Sequence, residues 1–132
     1  KQLSGMSFWE KIELLASEYT MIHRRKSLGG QLDLLCKYKG KTLLIDLKTK
    51  GASWTGASKA EIAKYKAQAG GYSYLLDAGD HAHGGCWVDQ CRTLVVTPTF
   101  IKWLPPMDPQ ACSDAWADCW DRYSAYVHAN PF

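Results

Sequence analysis

Two runs of alternating apolar character stand next to each other in the chain, Gln31 to Tyr38 and Lys41 to Lys48, and only Lys39-Gly40 separates them. Two such runs around a short Gly-containing break predict a β-hairpin. Upstream, Ser7 to about Tyr19 predicts a helix. Ser7 and Glu10 have capping-box spacing, and Phe8, Ile12, Leu15 and Tyr19 make an apolar stripe. A short strand is expected over 19–23, and Gly29-Gly30 as the turn into the hairpin.

Downstream, the Gly- and Ser-rich stretch 51–58 predicts a link without regular structure. Ser58 to Leu76 predicts a helix with a second capping box, Ser58 to Glu61, and with Ile62, Tyr65, Ala69, Tyr72 and Leu76 at helical spacing. Gly70-Gly71 costs this helix about 1 kcal/mol per glycine in propensity, so close packing or a local bend is expected there. Residues 77–85 predict a loop, 86–89 and 93–97 two short strands, and 100–104 a last extended segment stopped by Pro105-Pro106. Pro109 to His128 predicts the final helix, with Trp116, Cys119, Trp120, Tyr123 and Val127 as its stripe; the tail 129–132 is expected to fray. The order of elements predicts one mixed α/β domain spanning residues 1–132, a small central mixed sheet flanked by helices.

Each half of the hairpin carries an acid where a core strand has no use for one, Asp33 and Asp46. Side chains alternate along a strand, so Asp46 and Lys48 share a face with Leu44, while Ile45 and Leu47 take the other. Pairing around Gly40 brings Asp33 near Asp46. An unpaired buried carboxylate is costly, and a divalent cation would offset that cost. Mg²⁺ takes oxygen ligands and keeps several waters, so two carboxylates, waters and a phosphate oxygen would suit it. A lysine beside such a site can orient or deprotonate a water, or offset charge on phosphate oxygens. The plain alternative is that both aspartates lie near solvent and pair with Lys48.

Bulk properties narrow the choice little. The chain has 132 residues, a formal net charge of +3 and 46% apolar residues, which fits one soluble domain and permits a nucleic-acid partner without requiring one. Five cysteines without a CxxC pair read as reduced thiols, buried rather than zinc-bound. No signal peptide and no membrane-spanning run is visible, so a cytoplasmic setting is expected. Asp80, His81 and His83 are a weak metal-site signal in a Gly-rich loop. Arg24, Arg25 and Lys26 are either a solvated turn or a phosphate contact. Trp54 either pins its loop or touches a ligand.

Three ordered motifs carry a likeness. They are Gly30-Gln31-Leu32-Asp33-Leu34, then Ile45-Asp46-Leu47-Lys48-Thr49, then Gln68-Ala69-Gly70-Gly71-Tyr72. The chain resembles the PD-(D/E)xK nuclease superfamily, within it the RecB-like exonuclease branch, across roughly Glu18 to Tyr72. It departs from the pattern in having Leu32 where the naming proline stands, and in lacking a four-cysteine cluster pattern and a helicase domain. The resemblance implies a restriction-endonuclease-like core and a Mg²⁺-dependent deoxyribonuclease, with Mn²⁺ as a substitute. It implies Asp33, Asp46, the Leu47 carbonyl and Glu18 as metal ligands, Lys48 as the catalytic lysine and Gln68 as the residue that orders the site. Glu13 is the second choice for the acid of the first helix; Glu10 is explained by capping.

DNA is the implied partner, cut from ends or in single strands by a free-standing, phage-type nuclease. Tyr72, Trp54, Lys59, Lys64 and Lys66 would guide the strand on one side, and Arg24, Arg25 and Lys26 at the other rim. A junction-selective endonuclease of the same superfamily and a non-catalytic nucleic-acid-binding module are the rival readings.

Overall fold

The computed structural model describes residues 6–26, 28–79 and 84–129. Its elements in chain order are α1 (Met6–Lys11), β1 (Glu13–His23), β2 (Leu28–Tyr38), β3 (Lys41–Thr49), α2 (Lys59–Ala78), β4 (Gln90–Val96), β5 (Ile101–Trp103) and α3 (Pro109–Ala129). The five strands form one mixed sheet in the order β1-β2-β3-β4-β5. β3 and β4 run parallel and every other pair is antiparallel. A parallel pair needs a crossover, and α2 supplies it.

The expected hairpin is present. β2 and β3 pair from Leu34↔Ile45 to Tyr38↔Lys41. Lys39 and Gly40 have φ of +50° and +78°. Positive φ at both positions of a two-residue loop is the I′ geometry that matches strand twist. The Ser58–Glu61 capping box forms at the start of α2 as the spacing predicts.

Several boundaries differ from the sequence reading. The first helix ends at Lys11, and Ser7 lies inside it rather than capping it. The stretch expected to continue that helix is strand: Glu13 to His23 pairs along β2 from Lys37 to Leu28. The ladder to β2 outweighs the local 3.6-residue periodicity, so Glu13 and Glu18 are strand residues. Gly29 and Gly30 belong to β2, and the turn falls at 24–26. Residues 86–89 form no strand; β4 starts at Gln90 because pairing with β3 starts at Leu43↔Gln90. Among the thiols, Cys36, Cys91 and Cys112 are buried, Cys86 is half-buried, and Cys119 is exposed, contrary to expectation: it shares the Cys112 face of α3 but opens onto a groove beside α2 instead of packing. All five are free. Tyr123, expected on the packed stripe of α3, is exposed, farther along the helix than the Cys112 and Trp116 contacts with Gly70. Asp80, His81, His83 and the tail 130–132 lie outside the described residues.

Both faces of the sheet are covered. Met21, Leu32, Leu35, Leu44 and Val95 pack with Tyr65, Ala69, Leu75 and Leu76 of α2. On the other face Cys36, Leu43, Ile45 and Leu94 pack with Phe8, Trp9 and Trp103. α3 rests on α2, and Gly70 is the closest point: a Cβ there would sit 1.9 Å from the Cys112 carbonyl oxygen and 2.9 Å from Trp116 Cβ. The paired glycines thus mark a helix–helix approach.

Replacing Gly70 tests that packing. Gly70→Ala gains helix propensity but meets backbone, so the variant is expected to lose about 1–3 kcal/mol in urea denaturation. Gly51→Ala, where nothing lies within 4 Å, is expected to change stability by less than about 0.5 kcal/mol.

Candidate active site

The candidate site forms where the alternation of β2 slips. Leu32 and Leu35, three positions apart, both pack into the α2-side core, whereas a regular strand would send them to opposite faces. Asp33 lies inside that slip, one residue beyond the end of the ladder to β3. Its Oδ2 accepts the Leu47 N–H at 2.7 Å. Its carboxyl group is also within hydrogen-bonding reach of Asp46. Glu18 falls between the paired residues Ser17↔Leu34 and Tyr19↔Leu32, so its backbone lies opposite Asp33. Its φ is +46°, a left-handed conformation uncommon for a non-glycine residue.

Asp46 and Lys48 share the α2 side of β3, as the strand period requires. Lys48 Nζ lies 2.9 Å from Asp46 Oδ2 and donates to Gln68 Oε1 at 2.7 Å. Gln68 Nε2 donates to the Tyr72 hydroxyl at 2.9 Å. Lys48 Nζ also stands 5.1 Å from the centre of the Tyr65 ring. The amine therefore has a carboxylate, an amide oxygen and a π face around it. Its position is set by β3 and α2 together.

Asp46 is only 9% exposed. Burial pushes its carboxyl up to about 6, the Asp33 carboxyl beside it adds to the rise, and Lys48 opposes it. Two carboxylates in contact and one partner amine leave the pair short of positive charge. Thr93 pairs with Asp46 across β3–β4, and its buried hydroxyl has no partner.

A second cluster adjoins the first. Lys50, two residues beyond Lys48, pairs with Glu61 Oε2 at 2.8 Å, and the Tyr65 hydroxyl donates to the same oxygen at 3.3 Å. Lys50 beside it, with the Ser58 N–H, holds the Glu61 carboxyl down at about 2. Glu61, Tyr65, Gln68 and Tyr72 stand at i, i+4, i+7 and i+11, one face of α2 turned toward Lys48 and Lys50. Lys50, Glu61, Tyr65 and Thr93 were not anticipated as site residues. The signals for the first three were a second lysine at period two and a polar edge within what reads as an apolar stripe.

The remaining expected residues are dispersed. Arg24, Arg25 and Lys26 form the exposed β1–β2 turn, and Lys26 Nζ lies 4.9 Å over the Tyr74 ring. Trp54 pins its loop by packing against Phe100, with ring centroids 6.2 Å apart. Lys59 is exposed at the start of α2, and Lys66 is half-buried within electrostatic reach of the Cys112 thiol. Lys64 lines a groove beside Lys48. Among the described residues no three His, Cys, Asp or Glu side chains come together as a metal-holding group. Also among them, no helix is long and apolar enough to cross a membrane.

The raised Asp46 carboxyl has a consequence for stability. An acid that titrates higher in the folded than in the unfolded chain favours folding while protonated. That contribution is complete below the unfolded value of about 3.9 and is lost as pH rises through about 6. Urea denaturation in EDTA is therefore expected to show stability falling between pH 4 and pH 6, and Asp46→Asn is expected to flatten that fall and to be the more stable protein at pH 7.

No family model and no curated protein matches this chain. Among solved structures the chain is similar to the one titled "Crystal structure of SSO0001", with 15% identity and a TM-score of 0.43 over 87% of the present chain. The chain covers 52% of that protein, about half its length.

Proposed function

We propose that this chain is a metal-dependent deoxyribonuclease with a restriction-endonuclease-like core, hydrolysing phosphodiester bonds at DNA ends or in single strands. The observation that carries the proposal is the placement of Lys48 Nζ, 2.9 Å from Asp46 Oδ2 and 2.7 Å from Gln68 Oε1, next to two carboxyl groups in contact. The resemblance to RecB-like PD-(D/E)xK nucleases named the same residues on motif alone.

The donor set fits a hard divalent cation. Asp33 and Asp46 offer neighbouring oxygens, and the shortage of positive charge between them is what such an ion would relieve. The Leu47 carbonyl, on the residue between Asp46 and Lys48, is the next oxygen available to it, and Glu18 is the acid in the adjoining strand. Mg²⁺, with Mn²⁺ as a substitute, would polarise the scissile phosphate and make a bound water more acidic.

The chain's own groups have distinct parts. Asp33 ties its carboxylate to the β3 backbone through the Leu47 N–H, which holds it beside Asp46 independently of α2. Gln68 and Tyr65 hold the Lys48 amine in place. In hydrolysis a water oxygen adds to phosphorus, the bond from phosphorus to the leaving oxygen breaks, and that oxygen takes up a proton. Lys48 is positioned to orient the water or to offset charge growing on the phosphate oxygens. A non-catalytic binding module would keep the lysines but has no use for two acids in contact.

The test is end-labelled DNA with Mg²⁺, Mn²⁺ or EDTA. Wild type is expected to shorten it only with metal. Lys48→Ala is expected to lower the rate at least about 100-fold, the usual scale for a positioned acid–base or charge-stabilising group. Equal rates for Lys48→Ala and wild type would dismiss the mechanism. A matched set of linear, circular and branched substrates separates end-dependent from junction-selective cutting.

A further inference from the structure

A groove of about 680 Å³ leads from Lys48 across α2 to α3. Lys48, Lys50, Lys64 and Arg122 line it with Gln68 and Cys119, and among the described residues no carboxylate does. Four cations, from β3, the residue that follows it, α2 and α3, are thus gathered on one concave surface. Two of them carry partners that a phosphate can replace. Arg122 Nη1 is 3.1 Å from Asp118 Oδ2 in an i,i+4 pair with both side chains exposed, and such pairs contribute little in water. Lys50 is held by Glu61 at the groove's edge. Lys64 is exposed and projects from α2.

An aromatic row flanks the same end of α3. Trp116, Trp120 and Tyr123 stand at i, i+4 and i+7, with successive ring centroids 5.9 and 5.7 Å apart. Tyr123 is 56% exposed and adjoins Arg122 in sequence. Trp116 also walls a smaller hollow with Gln68 and Tyr72, and that hollow meets the basic groove at Ala67 and Gln68. The row leaves Tyr123 as its open end; cations tracking a backbone beside an open π face are what holds unpaired bases, whereas a duplex keeps its base faces stacked inside.

Building on the proposed nuclease reading, we propose that this groove is the path of a single DNA strand: Lys50, Lys64 and Arg122 hold its phosphates, and Tyr123, the exposed end of the aromatic row on α3, stacks a base, so the protein prefers single strands to duplex. The strand's phosphates would then pass Lys48 on the way out of the groove. Arg122 and the aromatic row lie beyond the stretch that carries the nuclease likeness. The basic turn at 24–26 does not line this groove.

The experiment is fluorescence anisotropy in EDTA, which prevents cleavage, with a short labelled oligonucleotide as single strand and as blunt duplex. The single strand is expected to bind at least about tenfold tighter. Tyr123→Ala is expected to weaken single-strand binding about 5- to 150-fold, the range for losing one stacked base. Arg122→Ala and Lys64→Ala are each expected to lower the slope of log K against log salt by about 0.7, one phosphate apiece. All three side chains are exposed, and circular dichroism checks that the variants fold. Equal or tighter duplex binding, salt slopes unchanged in both cation variants, or displacement by polyglutamate as effective as by unlabelled strand would each overturn the proposal. Binding that meets these expectations without cleavage in any metal would sustain the groove and sink the nuclease reading; cleavage without strand preference would do the reverse.

Discussion

The site depends on the contact between two carboxyl groups, Asp33 and Asp46, inside a sheet. Placing acids side by side in a partly dry setting opposes folding unless something repays it. Lys48 repays a part. The rest appears as a carboxyl that titrates near 6 and, on the proposed reading, as affinity for a divalent cation. The fold accommodates the contact through irregularity. The slip between Leu32 and Leu35 frees Asp33 from the β2–β3 ladder, and Glu18 opposite it takes a left-handed backbone. Strain and deviant backbone gather at functional sites when the surroundings hold them in place.

The surroundings here are α2 and its grip on β3. The helix is fixed at its start by the Ser58–Glu61 box, at its middle by the glycine approach to α3, and along one edge by Lys50–Glu61 and Lys48–Gln68. That edge is polar while its neighbour is core. One helix thus closes the hydrophobic layer and presents Gln68 to the Lys48 amine. The crossover that lets β3 and β4 run parallel is also the element that positions the amine.

Much of this was legible in the residues. The hairpin around Lys39-Gly40 and the common face of Asp46 and Lys48 follow from period two and turn chemistry, both local properties. The Ser58 cap and the close packing at Gly70 are local as well. The first helix was misread because Phe8, Ile12, Leu15 and Tyr19 satisfy helical spacing, while the partner that makes Glu13–His23 a strand lies elsewhere in the chain. Glu18 therefore belongs to a strand rather than to the first helix. Trp54 showed only that something must cover it; that Phe100 does so is a long-range fact. The basic groove was invisible for the same reason. Lys50, Lys64 and Arg122 are distant in sequence and meet only once α3 lies on α2.

The central claim is that Asp33 and Asp46 jointly hold a divalent cation. Mn²⁺ titrated into the apo protein and followed by electron paramagnetic resonance tests it without reference to turnover. The expected result is one tight equivalent at pH 7, competed by Mg²⁺, weakened as pH falls below about 6 and lost in Asp33→Asn and in Asp46→Asn. Binding that persists unchanged in both variants, or no binding to the wild type at all, would contradict the account.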